Sequence, residues 1–434
     1  MTAKQQSRGG VKVPRSLRER LKSIAGTLGK RNFRLFWIGE TTSQVGTAIS
    51  SVVIPLVGVS VLHAATFAIA LLTAATWLPW LVFGLPAGAW VDRYQKRTLM
   101  ITCDVVSLLL LVSIAVSEWL KILTVAQLLV VALLTGLVSV FFKAAFQAYI
   151  PQVLQRDELI DGNAKLQSSA AFATVSGPGI GGAVAQFLGI ATGVLLDAAS
   201  FAVSAVCLLA THSAEPEPKA RPRRHIGQEI RDGVRFLRHD PYLLPLAAFT
   251  STLSLGVSSS DSLIIVFFVR TLGVNSTVTG VVIGLMGVGG LFGAFISARL
   301  VRKYGSARAM IICRALLASA LLLPLTTRGV GLLFSAGWLT VNAGIASGNI
   351  ISASFRQARC PVEMRGRISA TYYTMTYSCM AIGGAFGGVL GTFLGVRAAL
   401  WVTCGIVAFA SAILFFSPVR KLRELPEMAG LGRA

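Results

Sequence analysis

Charged residues are scarce in this chain, and acidic ones scarcest. Only 13% of the 434 residues are charged, with 18 Asp and Glu against 40 Lys and Arg. Soluble domains carry about 25% charged residues, so a water-soluble fold is excluded. The six cysteines, at 103, 207, 313, 360, 379 and 404, form no Cys-x-x-Cys pair, and their spacing indicates neither a disulfide framework nor a zinc site. The four histidines, His63, His212, His225 and His239, show no ligand spacing. No cluster of His, Asp and Glu at a membrane face supports metal or phosphoryl chemistry, so the chain is not read as an enzyme and no cofactor is expected. The basic N-terminal stretch lacks the apolar core and small-residue cleavage site of a secretory signal, so the first apolar run is expected to stay as a helix.

What the chain has instead is apolar length. Hydrophobic residues make up 54% and the mean hydropathy is +0.70. A helical span needs about 20 mostly apolar residues. Runs of that kind fall at about 34–61, 65–91, 98–118, 122–148, 163–187, 190–211, 242–269, 277–300, 308–327, 330–356, 367–394 and 397–417, with boundaries good to a few residues. The expected fold is an all-α membrane protein with twelve transmembrane helices.

The net charge of +22 has the sign of a nucleic-acid binder, but its placement points elsewhere. Arg93, Lys96, Arg97, Arg156, Lys165, Arg302, Lys303, Arg308, Arg359, Arg365 and Arg367 fall in alternate loops, joined by a cluster of seven bases between Lys219 and Arg238. The other loops hold only Lys121, Arg270, Arg328 and Arg397. The excess of bases on one side predicts cytoplasmic N- and C-termini. The expected partners are a small-molecule substrate and a bilayer with an anionic cytoplasmic leaflet, not nucleic acid, with the protein a monomer. A multi-pass position in the cytoplasmic (inner) membrane follows.

Five segments are expected. Residues 1–33 form a basic cytoplasmic segment, with Leu17, Leu21, Ile24 and Leu28 at helical spacing for an interfacial face. Residues 34–211 and 242–418 form two six-helix halves. Residues 212–241 form a cytoplasmic linker, Pro-rich at first and then amphipathic, with Ile226, Ile230, Val234 and Leu237 on one face. Residues 419–434 form a cytoplasmic tail. The halves repeat at an offset of 210: Gln147, Ala148 and Pro151 match Gln357, Ala358 and Pro361, Gly177 and Gly181 match Gly387 and Gly391, and Gly46 matches Gly256. Such a repeat places a binding site between the halves.

Polar residues inside a membrane face the bundle interior or a water-filled cavity. Four spans carry polar stripes at helical spacing: Glu40, Gln44, Thr47 and Ser51; Thr135, Ser139, Lys143 and Gln147; Thr250, Ser254, Ser258 and Asp261; and Asn342 with Asn349. The candidates for proton or substrate binding are Glu40, Gln44, Lys143, Ser258, Asp261, Asn342 and Asn349. A static Glu40–Lys143 bridge is the plainer alternative. Asp104, Asp197 and Arg314 are embedded charges read as structural, with Arg93, Arg97 and Arg308 in view as partners of Asp104. Gly177, Pro178, Gly181 and Gly182 mark a close-packing hinge in span 5.

The turn after span 2 reads Gly84-x-x-x-Gly88-x-x-x-Asp92-Arg93-x-x-x-Arg97. It is similar to the loop 2–3 signature of the major facilitator superfamily, although Gln95 stands where that signature has Gly. Phe33-Arg-Leu-Phe-Trp-Ile-Gly-Glu40, Pro151-x-x-Leu154-x-Arg156-x-Glu158-Leu159-x-x-Gly162-Asn163-Ala164, Asp197-Ala-x-Ser200-Phe201, Arg235-Phe-Leu-Arg238-x-Asp240 and Arg365-Gly-Arg367 resemble its exporter branch of macrolide efflux proteins and the enterobactin exporter. Gly177-Pro178-x-x-Gly181-Gly182 is similar to the span-5 signature of proton-driven antiporters. The resemblance implies two pseudo-symmetric halves, a gate of Gly84, Gly88, Asp92, Arg93 and Arg97, and export of a small amphipathic antibiotic, drug or siderophore in exchange for protons. A facilitator or importer of a polar solute is the alternative, and a membrane enzyme or sensor a third class.

Overall fold

The computed structural model describes residues 26–84, 86–91, 93–155, 158–211, 235–327, 331–359 and 365–424. The basic N-terminal face, Asp92, most of the linker and the last ten residues lie outside that set. Every regular element among the described residues is helical. In chain order the main helices are α1 (Arg31–Leu56), α2 (Thr66–Phe83), α3 (Lys96–Trp119), α4 (Val125–Val153), α5 (Leu159–Phe187), α6 (Ile190–Ala210), α7 (Leu243–Val266), α8 (Ser276–Tyr304), α9 (Ser306–Ala315), α10 (Gly331–Arg359), α11 (Arg365–Phe393) and α12 (Val396–Phe415).

Eight are long and apolar enough to cross a bilayer among the described residues: α1 to α4, α6, α7, α8 and α12. The other four fall short for identifiable reasons. Helix α5 opens on polar residues and is rich in glycine, α9 tightens into a 3₁₀ segment at Leu316–Leu322, α10 carries arginines, asparagines and hydroxyls, and α11 carries arginines and hydroxyls. Polar side chains lower the apolar average of a helix that has protein or a cavity on one side.

Local chemistry sets several boundaries. Thr124 and Asn275 accept the first free amides of α4 and α8, from Gln127 and Val278, the usual work of an N-cap. Gly189 and Gly395 turn the chain into α6 and α12 at φ of 88° and 82°, a region in which glycine has no Cβ penalty. Asp240 caps α7, its Oδ1 accepting from the Tyr242 and Leu243 amides. Its Oδ2 takes the Arg359 Nε at 2.6 Å, tying the end of the linker to the end of α10. Leu237, expected on an interfacial face, is buried in the core of the second half.

The structural repeat is closer than the sequence repeat, and its register differs in part. Helix α1 ends in a π-helical turn at Val57–Val61, and α7 ends in one at Phe267–Thr271, 210 residues later. Helices α3 and α9 also begin 210 apart, at Lys96 and Ser306. From there the offset is 206, because α4, α5 and α6 begin at Val125, Leu159 and Ile190, and α10, α11 and α12 at Gly331, Arg365 and Val396. Gly181 is therefore equivalent to Gly387, not Gly391, and Gln147 to Ala353, not Gln357. The second half is one helical turn shorter, and glycines recur every fourth position in α11, so both offsets find matches.

The N-terminal segment is latched to the start of α5. The Asp161 carboxylate accepts from the Thr27 amide, the Thr27 hydroxyl and Lys165, at 3.1, 2.9 and 2.6 Å, and Lys30 meets Glu158 at 2.6 Å. The Lys165 bond first, then the two Thr27 bonds, hold the Asp161 pKa down to about 2. A lowered value means folding favours the ionised form. The latch is therefore complete above the ordinary carboxylate range and is lost as the pH falls through about 2. Asp161→Asn is expected to lack it already at neutral pH, with faster tryptic cleavage after Lys30. Equal cleavage rates in the two chains would deny the latch.

Candidate functional site: polar faces on both halves

Helices α1 and α4 are exposed on two opposite sides. On α4, apolar Val130 and Leu134 are exposed, and nine residues further on so are Ser139 and Lys143. Nine residues at 3.6 per turn is half a rotation. Ile38 and Thr47 stand in the same relation on α1. One face suits lipid. The other, with Thr47, Ser51, Ser139, Lys143 and Gln147, borders a polar space. Asp261 on α7 and Asn349 on α10 are exposed as well.

The two halves meet closely away from the basic loops. Ile265 and Val266 of α7 form one buried cluster with Val52, Leu56, Val59, Ala64 and Ile69. Arg270 donates to the Ala64 carbonyl at 2.6 Å. Helix α5 approaches α8 so tightly that a Cβ on Gly182 would lie 2.8 Å from the Gly280 Cα. Further tight approaches follow at Gly284–Val175 and Gly287–Thr174, all in the half of each helix remote from Lys165 and Arg302. Gly177 and Gly181 press on Ala48 and Ile49 of α1. Helix α5 runs unbroken through Pro178, so its small residues act here as a packing surface.

Glu40 is buried, with Oε1 accepting from Gln44 Nε2 at 2.6 Å and Oε2 unpartnered. Lys143 is exposed and within electrostatic reach of Glu40, but forms no ion pair among the described residues. The static Glu40–Lys143 bridge is therefore absent, since an exposed ammonium keeps its water. Asp104 is fully buried, with neither oxygen in a hydrogen bond. The pairing expected with Arg97 is not formed: that guanidinium donates instead to the Leu208 and Leu209 carbonyls, both at 2.7 Å, where it satisfies the end of α6. Asp197 accepts from the Ser200 hydroxyl at 3.2 Å and packs on Gly46.

Ser258 does not border the cavity. It is fully buried and donates to the Met380 carbonyl of α11 at 2.7 Å, a packing bond between helices. Asn342 is partly buried and donates to the Trp338 carbonyl of its own helix. Gly84 packs toward Thr374 of α11, and Gly88 lies in the short helix Pro86–Val91. Arg93 borders a groove of about 290 Å³ with Trp90, Tyr94, Leu99 and Phe141, apart from the polar stripes. Two groups escaped the sequence reading. Arg356 stacks on Tyr372 at 3.7 Å, and Tyr377 stacks on Trp77 and packs at a tilt against Trp80. The spacing of Arg356 from Asn349, seven residues along α10, was the available sign.

The sequence profile of transmembrane secretion effectors, a family of the major facilitator type, matches residues 23–430. The chain belongs to this family. It is 25% identical over 394 residues to the uncharacterized MFS-type transporter YfiS of Bacillus subtilis, covering 84% of this chain and 88% of that one. It is 24% identical over 374 residues to the enterobactin exporter EntS of Escherichia coli, covering 83% and 86%. The fold is that of the nucleoside transporter NupG, with a TM-score of 0.72 at 11% identity over 89% of this chain and 99% of that one. A bacterial homologue of the iron transporter ferroportin in the inward-facing state gives 0.70 at 15% identity, over 89% and 98%. The chain is thus a membrane transporter of the major facilitator type.

Proposed function

We propose that the chain is a secondary active exporter of a small amphipathic molecule, working by alternating access in exchange for protons. In this reading twelve spans form two six-helix halves, 34–211 and 242–418, with both termini in the cytoplasm of the cell and the spans in its inner membrane. The observation that carries it is a set of exposed polar side chains on both halves, Thr47, Ser139 and Lys143 on one and Asp261 and Asn349 on the other, with the halves closed against each other at one end by α1, α2 and α7; such side chains in a membrane line a water-filled cavity. The basic loops lie at the other end, so the cavity faces the cytoplasm, where an exporter takes up cargo. Glu40 is the coupling residue, and Asp261 its rival on the opposing half. Similarity to an exporter supports the direction.

The second reading is a facilitator or importer of a polar solute, supported by the shared fold with a nucleoside transporter. Membrane vesicles separate the two. Inside-out vesicles carrying the chain are expected to accumulate a fluorescent amphiphile from an antibiotic and dye panel when their lumen is acid, and to stop when the gradient is collapsed. Uptake of polar solutes by right-side-out vesicles, with no amphiphile moved, would favour the second reading.

A further inference from the structure

We propose that the second half holds a buried anion-recognition site at Arg314, completed by Arg356, that takes an acidic group of the cargo; the cargo role rests on the transport reading above. Arg314 lies on α9 and is 1% exposed. An arginine keeps its charge throughout the physiological range, and an uncompensated buried cation is costly. Yet Nε and Nη1 have no hydrogen-bond partner. Nη2 makes only long contacts, 3.3 Å to Asn349 Oδ1 and 3.4 Å to Ser352 Oγ. The guanidinium rests over the Phe249 ring at 4.4 Å. No carboxylate pairs with it among the described residues. Arginines that serve structure in this chain are differently placed: Arg97 has two carbonyls at 2.7 Å, and Arg359 has Asp240 at 2.6 Å.

Arg356 belongs to the same patch. Asn349, Ser352 and Arg356 lie on one face of α10, at i, i+3 and i+7. Arg356 stacks on Tyr372, whose hydroxyl is hydrogen-bonded to Thr250, the neighbour of Phe249. It too lacks a carboxylate among the described residues. A Cβ on Gly348 would run into the Arg314 guanidinium, so glycine there gives the cation its room. Asn349 is exposed and touches the Arg314 guanidinium, so it links the buried cation to the exposed polar face and is the way in.

The repeat gives the patch its context. At the offsets found above, Arg314 is equivalent to Asp104 and Asn349 to Lys143. The first position thus reverses sign between the halves, and the second is a cation in the first half and a neutral amide in the second. The first half offers the buried carboxylates Glu40 and Asp104, and the second offers two buried guanidinium groups. A cargo with an acidic group would be oriented across the cavity, acid toward α9 and α10. A carboxylate matches the planar fork of a guanidinium.

The test uses the full chain in nanodiscs, with thermal unfolding followed by tryptophan fluorescence in benzoate, benzamide or sodium chloride at equal concentration. Benzoate is expected to raise the midpoint, and the uncharged benzamide and chloride are not. Arg314→Gln is expected to weaken benzoate at least about tenfold, the size of one charge-assisted bond. Asn349→Asp sets a carboxylate on Arg314 from within; it is expected to fold, with a raised midpoint, and to ignore benzoate. This variant decides the matter if Arg314→Gln does not fold. Equal effects of benzoate and benzamide, or a wild-type response in Asn349→Asp, would overturn the site. An equal response to chloride would overturn its assignment to the cargo. None of these readouts involves transport, so a failure of the exporter reading leaves them unchanged.

Discussion

Glu40→Gln abolishes gradient-driven efflux and leaves the chain folded and inserted: this is the first expected result, and the largest. Glu40 is a buried carboxyl with one oxygen held by Gln44 and the other unpartnered. It sits where α1 turns its polar stripe toward the cavity. Glutamine has the same shape and can keep the contact with Gln44, but cannot carry a proton. Its packing cost is therefore small while the coupling is lost. Exchange of unlabelled for labelled cargo at equal pH on both sides is expected to survive, because it needs no net proton movement. The hypothesis fails if Glu40→Gln keeps gradient-driven efflux and Asp261→Asn loses it, which would move the coupling role to α7.

Gly182→Val is expected to hold the sealed end open. In the structure Gly182 and Gly280 let α5 and α8 touch backbone to backbone. Two extra methyls and a Cβ cannot enter that contact without parting the helices, and overpacking of this kind costs about 1–3 kcal/mol. That is enough to reverse a nearly balanced conformational equilibrium. Ile69 is buried in the seal, so a cysteine placed there reports its opening. Impermeant maleimide added from outside is expected to label Ile69→Cys slowly alone and at least about tenfold faster with Gly182→Val. Unchanged labelling with normal transport would show that the glycine contact does not govern the seal.

Much of this was legible in the sequence because membrane helices are governed by coarse rules. Apolar length, alternate basic loops and a repeat are all read along the chain. Side-chain direction is harder. Ser258 lies on the same sequence stripe as Asp261, yet faces α11, because the hydroxyl of a serine bonds a neighbouring carbonyl as readily as it lines a cavity. Arg97 is one of three arginines that the sequence places at the same helix ends as Asp104, but the free carbonyls ending α6 claim it. The repeat register failed where one helical turn is missing, since a loss of four residues keeps the same helix face and the glycines still match. The pairing of Arg314 with Asn349 needs the correct register of α9 against α10, and no local pattern contains it.

The most direct measurement of the central claim, two halves that alternately open one polar cavity, is a distance across the basic end. Spin labels at Gln155 and Lys303, both exposed, report it in the full chain in nanodiscs. A longer and a shorter population are expected, the longer one matching the structure described here. Their ratio should change between pH 6 and pH 8 in the otherwise unaltered chain and stay fixed in Glu40→Gln. A single distance, the same at both pH values and in Gly182→Val, would contradict alternating access.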